Sequence, residues 1–493
     1  MSTTTSPEIF DTLREVFGFD EFRAGQEEVV RAVLAGRDAF VVRPTGSGKS
    51  LLFQLPALHL PGLTIVVSPL IALMKDQHDR LAERGVEVVT VNSSLTRRAQ
   101  TAAELMVERG EARILYVTPE RFRDRDFFES LRDQQVSLFV VDEAHCVSQW
   151  GHDFRPDYMM LGAIVERLGR PPVLALTATA PPHVRDDIIE QLRMRGPFIS
   201  VAGLIRPNLF LSVRRTVNEA AKAAELERLL GTIDGTGIVY VATVRQAEQL
   251  CAELAPRWPV ELYHGRRSAK QRTEAQERFM SGSAKAVVAT NAFGLGIDKP
   301  DIRFIVHYDF PGSLEAYYQE AGRAGRDGGR AECVILYRVE DRQVQSYFLG
   351  GKYPSLEEAA AVARVLNATP PGERRPLAAL AAAADVPRRK TRIVLELLKR
   401  EGGMREYRGG EWERLADDVA RIDIGRHIVD YEARRARDRE KLDAMVSYCR
   451  SAQCRTRRLL EYFGAPPGPV WECGHCDNDA ARGNGVPVPA VPA

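Results

Sequence analysis

The sequence has little of what would place a chain in a membrane or outside the cell. It contains no run of about 18 apolar residues, the length that a membrane-spanning helix needs. The first residues, MSTTTSPEIFDTL, include neither a basic start nor an apolar run, so no secretory signal peptide is predicted. The net charge is only +1, so global charge does not indicate a polyanionic partner. We therefore expect a cytoplasmic protein whose function must be inferred from local motifs.

Cysteine is also scarce, with seven in 493 residues, and this argues against a disulfide framework. Three cysteines stand far apart, and we interpret them as small buried apolar residues: Cys146, Cys251 and Cys333. The other four cluster towards the end of the sequence: Cys449, Cys454, Cys473 and Cys476. Such clustering predicts a metal site.

What the sequence does contain is a long alternation of apolar runs and helical stretches. A first series of runs includes DAFVVRP, LTIVVSP, ARILYVTP, VSLFVVDEAH and PPVLALTATA, and a second includes TGIVYV, PVELYH, AKAVVAT, IRFIVHY and AECVILY. Continuous apolar runs of this length are typical of strands buried on both faces. The pattern predicts two α/β lobes, each a parallel sheet covered by helices, over about residues 1–205 and 206–350. A turn in GLIRPNLFL (203–211) would join them.

The composition changes after residue 350. Helices are predicted in PSLEEAAAVARVL, PLAALAAAADV and PRRKTRIVLELLKREGG, and a hairpin is predicted in MREYRGGEWERL. Three helices followed by a hairpin is the order of a winged helix. We therefore predict a winged-helix-like insert over 351–432, a helical metal-binding module over 433–480 and a disordered Pro-rich tail over 481–493.

A phosphate-binding loop is predicted at RPTGSGKS, directly after the apolar run DAFVVRP. In such a loop backbone N–H groups hold phosphates, Lys49 reaches the β and γ phosphates, and Ser50 helps to hold Mg²⁺. The standard pattern has glycine where this sequence has Arg43. A plain turn is therefore the alternative for this motif taken alone.

Two further motifs carry charges that suit phosphate chemistry. Asp142 and Glu143 follow the apolar run LFVV, and two adjacent acids at a buried strand end are costly without a cation. Asp142 can hold Mg²⁺ and Glu143 can polarise the attacking water, the alternative being a solvated strand end. Arg323 and Arg326, in YYQEAGRAGRDGG, would share one face if helical, and such arginines can neutralise charge during phosphoryl transfer. The alternative there is an ordinary salt-bridged helix.

In combination, TGSGKS, DEAH, LTATA, VVATNAFGLGIDKP and YYQEAGRAGRDG resemble the core of superfamily 2 helicases. FRAGQ and above all DEAHCVSQWGHDFRP resemble the RecQ family of DNA helicases, and the resemblance spans about residues 10–345 and the cysteine-rich region. It implies two RecA-like lobes, ATP and Mg²⁺ as cofactors, and ATP-driven 3′-to-5′ unwinding of DNA in recombination and repair.

The resemblance also implies roles for the matching residues. Adenine would be contacted by Phe19, Arg23 and Gln26, and the phosphates and Mg²⁺ by Thr45, Gly46, Ser47, Gly48, Lys49 and Ser50. Asp142 and Glu143 would be the metal and water residues, and Thr177 and Thr179 would couple the lobes. Arg323 and Arg326 would complete the ATP site, with Arg326 preferred as the arginine finger.

A loop rich in aromatic residues follows the DEAH motif, and in RecQ proteins it senses single-stranded DNA. The candidate DNA contacts in it are Trp150, His152, Phe154 and Arg155. Rings stack on bases with little sequence preference. DNA on these rings could therefore shift a loop only a few residues from Glu143 and so switch on hydrolysis. The alternative is that the rings pack in the core.

A zinc site is predicted from C-x18-C-x2-C, which is formed by Cys454, Cys473 and Cys476. RecQ proteins usually have a further cysteine two residues beyond the second pair, and here that position holds Asp479. We expect Asp479 to be the fourth ligand of a structural Zn²⁺ ion, with Cys449, His475 or no fourth protein ligand as alternatives.

The winged-helix-like insert departs from the family, because longer members carry a winged helix after the zinc module and often an HRDC domain. The sequence thus resembles the short bacterial members. Arg388, Arg389 and Lys390 crowd the start of the third predicted helix of the insert, where DNA phosphates could bind. A packing or partner-binding role is the alternative.

The expected function is that of an ATP-dependent DNA helicase at the bacterial nucleoid, with single-stranded and duplex or forked DNA as partners. Single-stranded-DNA-binding and recombination proteins are further candidate partners. One alternative is an ATP-gated DNA-binding, annealing or remodelling protein without net unwinding. An RNA helicase shares the same core, because no motif fixes the contact to a 2′-hydroxyl group.

Overall fold

The computed structural model describes residues 6–44, 46–92, 95–148, 150, 155–294, 297, 299–350, 353–370, 372–407, 410–468 and 471–483. Three predicted site residues, Thr45, His152 and Phe154, lie outside these ranges, as does most of the predicted disordered tail. The chain separates into two compact units, residues 1–310, 315–337 and 451–493 in one, and 311–314 and 338–450 in the other. No helix in the described ranges is both long and apolar enough to cross a membrane.

The first lobe is built on a parallel sheet of seven strands within the described part of the chain, in the order β3-β4-β2-β5-β6-β1-β7. The strands are β1 Ala39–Val42, β2 Leu63–Val67, β3 Val88–Val91, β4 Ile114–Val117, β5 Val136–Val141, β6 Val173–Thr177 and β7 Phe198–Val201. The α-helices are α1 Ser6–Glu15, α2 Gln26–Leu34, α3 Leu51–His59, α4 Ile71–Ala82, α5 Arg97–Glu108, α6 Arg125–Arg132, α7 Leu161–Arg167 and α8 Pro182–Gln191. Apolar clusters cover both sheet faces, as the continuous apolar runs predict.

The second lobe repeats this design with six parallel strands among its described residues, in the order β10-β11-β9-β12-β13-β8. The strands are β8 Leu209–Arg215, β9 Thr236–Tyr240, β10 Val260–Tyr263, β11 Ala286–Ala289, β12 Ile302–His307 and β13 Ala331–Tyr337. The helices are α9 Glu219–Thr232, α10 Val244–Leu254, α11 Ala269–Met280 and α12 Leu314–Ala321. The prediction of two parallel-sheet lobes is therefore confirmed.

Two strands of the lobes, β7 and β8, are not predicted by the sequence pattern, and the predicted joining turn (203–211) extends into β8. The segment NLFL, which we assign to the turn, begins strand β8 at Leu209. Both strands lie at the edge of their sheets. An edge strand is less completely buried, and residues in β7 alternate between half-buried and exposed. The continuous apolar run that marks a central strand is therefore missing.

The cysteine-rich module ends the first unit with two short helices, α18 Arg455–Tyr462 and α19 Asp477–Ala481. It is attached to the edge strand β8. Cys476 forms an isolated parallel bridge with Leu211, and the Val213 N–H donates to Asp477 Oδ2 at 2.8 Å. The module thereby satisfies backbone groups that an open sheet edge would leave unpaired.

The second unit contains the predicted insert. Its helices are α13 Asp341–Gly350, α14 Leu356–Ala368, α15 Leu377–Ala384, α16 Arg388–Arg400 and α17 Gly425–Arg450, and its strands are β14 Arg374–Pro376, β15 Met404–Glu406 and β16 Glu411–Arg414. The strands form an antiparallel sheet in the order β14-β16-β15. Helices α14 to α16 followed by a hairpin reproduce the predicted winged-helix order. Helix α17 lies in the same compact unit as the insert.

Candidate functional site

The loop between β1 and α3 has a backbone that requires glycine at two positions. Gly46 and Gly48 have φ angles of 79° and 81°, which side chains with a Cβ rarely adopt. A Cβ at Gly48 would lie 2.6 Å from Gln26 Nε2, and one at Gly46 would lie 3.1 Å from Arg326 Cγ. The loop is therefore packed closely between the FRAGQ segment and an arginine of the second lobe.

Lys49 lies at the centre of this loop. Its Nζ donates to the carbonyl oxygens of Arg43 and Pro44 at 3.0 and 3.3 Å. Burial lowers the pKa of Lys49, whereas the nearby carboxylates of Glu143 and Asp142 favour the charged amine and oppose that shift. The lysine and the two acids thus form one compact group of charges at the ends of β1 and β5.

Arg43 occupies the position where the standard phosphate loop has glycine. Its side chain binds a backbone carbonyl of the FRAGQ segment. Its Nη2 donates to the Ala24 carbonyl at 2.6 Å, and the residue is only 4% exposed. A Cβ at Gly25, where φ is 72°, would lie 2.5 Å from the same nitrogen. Arg43 therefore ties the loop to the FRAGQ segment.

Two of the residues predicted to contact adenine also form hydrogen bonds to the phosphate loop. Gln26 Nε2 donates to the carbonyls of Ser47 and Gly48 at 3.3 and 3.2 Å, while its Oε1 accepts from the Arg23 N–H at 2.8 Å. Arg23 Nη1 donates to the Gly46 carbonyl at 2.9 Å. The FRAGQ segment is thus coupled directly to the backbone of the phosphate loop.

Asp142 follows β5 and is buried beside the loop. Burial, together with repulsion from Glu143, raises the pKa of Asp142, and the Lys49 ammonium opposes the rise. Ser68 Oγ donates to Asp142 Oδ2 at 3.4 Å. A carboxylate that is destabilised in this way is well suited to bind a cation.

Glu143 has an unusual backbone for a residue with a side chain, with φ at 49°. One of its carboxylate oxygens lies 3.2 Å from His145 Nδ1, and the same nitrogen lies 3.1 Å from Thr177 Oγ1. Thr177 Oγ1 in turn donates to the Thr179 carbonyl at 3.0 Å. His145, to which we assign no role from the sequence, therefore links the acid pair to the LTATA segment.

Ser50 has partners that the sequence does not reveal. Gln77 Nε2, from α4, donates to Ser50 Oγ at 2.9 Å, and the Tyr116 hydroxyl donates to Gln77 Oε1 at 2.8 Å. Gln54 Nε2 lies 3.4 Å from the Tyr116 oxygen. The only sequence signal is polar residues at helix positions that face a sheet, and this does not identify their partner.

The two predicted arginines of the second lobe lie in turns after α12, which ends at Ala321, and not on one helix face. Arg323 is buried, and its Nη1 donates to the Gly294 carbonyl. Arg326 Nη1 donates to the Ile297 carbonyl at 2.8 Å. Both arginines are thereby fixed to the segment NAFGLGIDKP.

Residues of both lobes meet at one cavity of about 330 Å³. The predicted residues that line it are Phe19, Gly46, Gly48, Lys49, Ser50, Asp142, Glu143, Arg323 and Arg326. Phe19 is 49% exposed, so its ring is free to stack on a planar ligand. Lining residues that we do not predict include Asp76, Gln77, Arg80, Arg84 and Gln319. The cavity combines an apolar ring, a glycine loop, two acids and two arginines, as a nucleoside triphosphate requires.

The described part of the aromatic-rich loop lies at the surface. Trp150 is 39% exposed, and its ring lies 5.8 Å from that of His183 in an edge-to-face arrangement. The backbone N–H of Trp150 donates to Ser148 Oγ, and the Ser148 hydroxyl donates to Asp187 Oδ2 at 2.5 Å. Arg155 Nη1 donates to the Pro69 carbonyl at 3.4 Å. For Trp150, the alternative of complete core packing does not hold.

Four potential metal ligands converge in the cysteine-rich module. The ligand atoms of Cys454, Cys473, Cys476 and Asp479 all lie within 4.8 Å of one another. Each sulfur accepts a backbone N–H, and these come from Cys473, His475 and Arg455 at 3.3 to 3.4 Å. Such donors stabilise metal-bound thiolates.

Asp479 is fully buried and is oriented for ligation. Its Oδ2 accepts from the N–H groups of Cys473 and Gly474 at 2.9 and 3.1 Å. Its Oδ1 is buried and has no hydrogen-bond partner in the described ranges. His475 Nδ1 lies 2.6 Å from the Cys473 carbonyl, and neither His475 nor Cys449 belongs to the cluster. Three cysteine sulfurs and one carboxylate oxygen that accepts no hydrogen bond from a described residue fit a tetrahedral zinc site.

In the insert, the three basic residues predicted to contact DNA differ in accessibility. Arg388 and Arg389 are exposed at the first turn of α16. Lys390 is only 8% exposed, and its Nζ donates to Glu358 at 2.7 Å. Lys390 is therefore not available to bind a DNA phosphate, because its ammonium group is already paired with Glu358 inside the insert. Trp412, near the hairpin, is a core residue at 2% exposure.

Family profiles match three parts of the sequence. A DEAD/DEAH box helicase profile covers residues 23–188, a helicase conserved C-terminal domain covers 221–328, and a RecQ zinc-binding profile covers 417–480. The stretch between the last two contains helices α14 to α16 and the hairpin.

Similar proteins are named DNA helicases. ATP-dependent DNA helicase RecQ of Pasteurella multocida is 42% identical over 334 residues, which is 67% of this chain and 52% of the relative. The chain thus spans about half the length of that relative. RecQ of Synechocystis is 36% identical over 485 residues, with 95% of this chain and 97% of the relative covered. Probable helicase RecS of Bacillus subtilis is 38% identical, with 74% of each chain covered.

Solved structures with the same fold are also helicases. The Mycobacterium smegmatis helicase Lhr bound to ssDNA and AMP-PNP gives a TM-score of 0.55 at 23% identity, covering 82% of this chain and 60% of that chain. S. cerevisiae Dbp5 bound to RNA and ADP BeF3 gives 0.53 at 21% identity, covering 70% and 91%. At these identities the likeness concerns the fold.

Proposed function

Because the chain belongs to the RecQ family of ATP-dependent DNA helicases, we propose that it couples ATP hydrolysis to 3′-to-5′ movement along single-stranded DNA and so unwinds duplex DNA. The observation that carries this proposal is the shared cavity, to which one lobe contributes the phosphate loop and the acid pair, and the other contributes two arginines. We propose that the protein acts on chromosomal DNA in the bacterial cytoplasm, in recombination and repair.

Within the cavity, each charged residue has a role that its surroundings support. Lys49 would neutralise the β and γ phosphates, and Ser50 and Asp142 would hold Mg²⁺, which neutralises phosphate charge when bound. Glu143 would orient the attacking water. Arg326 would stabilise charge on the transferred phosphoryl group, since it lines the same cavity as Gly46 of the phosphate loop.

The contact between Glu143, His145 and Thr177 supports a path between hydrolysis and the LTATA segment. A change in the water-orienting carboxylate would alter the hydrogen bonds of Thr177. DNA would act on the same region through Trp150 and Arg155, which follow the DEAH motif and are accessible or partly so. We propose that DNA binding at this loop stimulates hydrolysis.

The zinc ion would be structural, with Cys454, Cys473, Cys476 and Asp479 as ligands. The vacant Oδ1 of Asp479 supports this choice of fourth ligand. The insert would bind duplex or forked DNA through Arg388 and Arg389, whose exposed guanidinium groups lie at the N-terminal end of α16.

The test is ATP hydrolysis measured with and without single-stranded DNA, in the wild type and in Glu143→Ala. We expect strong stimulation by DNA, and loss of hydrolysis in the variant without loss of nucleotide binding. Strand displacement on substrates with 3′ or 5′ tails then gives the polarity. Hydrolysis without strand displacement would favour ATP-gated binding or annealing, and no DNA stimulation in the wild type would refute the proposed coupling.

A further inference from the structure

Helix α18 of the zinc-binding module packs against α12, the helix that precedes the two arginines of the ATP site. The Tyr462 hydroxyl donates to Glu315 Oε1 at 2.9 Å, and Glu315 is only 2% exposed. The ring of Phe463 lies 5.2 Å from that of Tyr318, whose hydroxyl donates to the Leu204 carbonyl at 2.9 Å. One end of α18 therefore fixes the first turns of α12.

This packing continues along α12 to the residue before the first arginine. Thr456 and Leu459 of α18 face Tyr317, Ala321 and Gly322 across a space of only about 20 Å³, which is too small for a ligand. Arg323 follows Gly322 directly in the sequence. A displacement of α18 would thus be transmitted to the backbone that carries Arg323 and Arg326, because closely packed elements move together.

The chain after α18 also touches the first lobe. Gly464 has a φ of 73°, and a Cβ at this position would lie 2.3 Å from Pro182 Cγ. Pro182 begins α8 and is the last residue of the segment LTATAPP, which also contains Thr177 and Thr179. Helix α18 and the turn that follows it are therefore in close contact with both lobes beside their ATP-site motifs.

The zinc-binding residues hold α18 in this position. Cys454 immediately precedes α18, and Arg455, its first residue, is 4% exposed. The Arg455 guanidinium donates to the Asp477 carboxylate at 2.8 and 3.1 Å, and Asp477 accepts the Val213 N–H of β8. The cluster and this ion pair together anchor α18 to the second sheet.

We propose that α18, together with the turn that follows it, is a positioning element for ATP hydrolysis, with Tyr462 of the helix and Gly464 of the turn as the positioning residues. Through Tyr462 it holds α12 so that the arginines meet the phosphate loop, and through Gly464 it rests on the first lobe when the cavity is formed. This inference rests on the proposed ATP-hydrolysing function. It assigns the zinc-binding module a part in hydrolysis that does not depend on contact with DNA.

The first test is Tyr462→Phe, which removes one hydroxyl and keeps the ring. We expect kcat for DNA-stimulated hydrolysis to fall by up to about tenfold, because a hydrogen bond to a buried carboxylate is lost. KM for ATP and the zinc content should not change, because the phosphate loop and the ligands are intact. Glu315→Gln, which keeps an acceptor for the hydroxyl, should retain most of kcat.

Tyr353→Phe is the matched control. The Tyr353 hydroxyl donates to Asp438 Oδ2 at 3.4 Å within the second unit, so this variant loses a bond of the same chemical kind that involves neither α12 nor α18. It should leave kcat unchanged. Equal kcat in Tyr462→Phe and the wild type would overturn the proposal, and so would a fall in kcat that only follows a loss of zinc.

The second test is Gly464→Ala, compared with Gly282→Ala. Both glycines have φ near 75°, but a Cβ at Gly282 meets nothing within 4 Å. Both alanine variants therefore carry the same backbone strain, and only the Cβ of Gly464→Ala clashes with Pro182. We expect a fall in kcat in Gly464→Ala alone, and equal kcat in both variants would contradict the contact with the first lobe. Absence of DNA-stimulated hydrolysis in the wild type would instead refute the proposed function itself.

Discussion

Gly48 shows why the phosphate loop needs a residue without a Cβ atom. Its φ of 81° is strained for any residue with a Cβ, and the added atom would meet Gln26 Nε2 at 2.6 Å. The strain alone costs about 1–2 kcal/mol of unfolding free energy. The steric contact, by contrast, acts on the loop that would hold the phosphates.

Gly48→Ala should therefore lower nucleotide affinity by about tenfold or more, which corresponds to about 1.4 kcal/mol. Gly85→Ala is the control, since Gly85 has a φ of 77° and open space around its Cβ position. Titration of a fluorescent ATP analogue and thermal unfolding would separate the two effects. Equal nucleotide affinity in both variants, at equal loss of stability, would show that the contact with Gln26 is unimportant.

Asp479 is the second residue whose role can be tested by itself. Asp479→Ala should bind clearly less than one zinc ion per chain, because the fourth ligand is removed, whereas Asp479→Cys should keep a full site. Cys449→Ala and His475→Ala should keep a full complement of zinc. Zinc is measured by metal analysis of the purified protein. Loss of zinc in Cys449→Ala, with a full complement in Asp479→Ala, would reverse the assignment.

At the scale of elements, the insert depends on the two faces of α16. Its apolar face packs on α14 and the hairpin, with Leu395, Leu398 and Trp412 in one cluster. Its first turn exposes Arg388 and Arg389, which have no ion pair to another described residue. Lys390 is next to them in sequence but points inward to Glu358.

Replacing Arg388 and Arg389 together by alanine should weaken binding to forked DNA and reduce the salt dependence of affinity by about two counterions. The control is Lys390→Gln, which removes a charge that Glu358 already neutralises and should leave the salt slope unchanged. Fork affinity is measured by fluorescence anisotropy over a range of salt concentrations. An unchanged slope in the double variant would exclude α16 as a phosphate-binding helix.

Strands at the centre of the two sheets are predicted from the sequence, whereas two of the edge strands are not. Central strands such as β2 and β6 are buried along their whole length, and their apolar runs mark them in the sequence. The edge strands β7 and β8 lack that signal. Helix α17 is identified as a helix from its composition, but the unit to which it belongs depends on distant contacts.

At the scale of the whole molecule, hydrolysis and DNA response should be separable. Arg326 of the second lobe lines the same cavity as the phosphate loop, and Trp150 is exposed on the first lobe. Arg326→Ala should reduce both basal and DNA-stimulated kcat by roughly 10³-fold, because transition-state charge is left without its partner. Trp150→Ala should reduce only the stimulation.

Trp150→Phe is the conservative control, because a phenyl ring can still stack on a base. It should keep most of the stimulation that Trp150→Ala loses. Hydrolysis rates at increasing concentrations of single-stranded DNA give basal rate, maximal rate and half-saturation separately. Full stimulation in Trp150→Ala would mean that another part of the molecule senses DNA.

The chemistry proposed for the site can be inferred from the sequence alone, because glycines, acids and arginines at fixed short spacings have few other uses. The sequence also determined the two parallel sheets, since strands buried on both faces must be apolar throughout. The neighbours that these residues have from elsewhere in the chain are visible only in the folded structure. In the folded chain Arg43 binds the Ala24 carbonyl and Ser50 binds Gln77. Lys390 is buried against Glu358, and α18 lies beside α12. Such contacts join residues that are distant in sequence, so no local pattern records them.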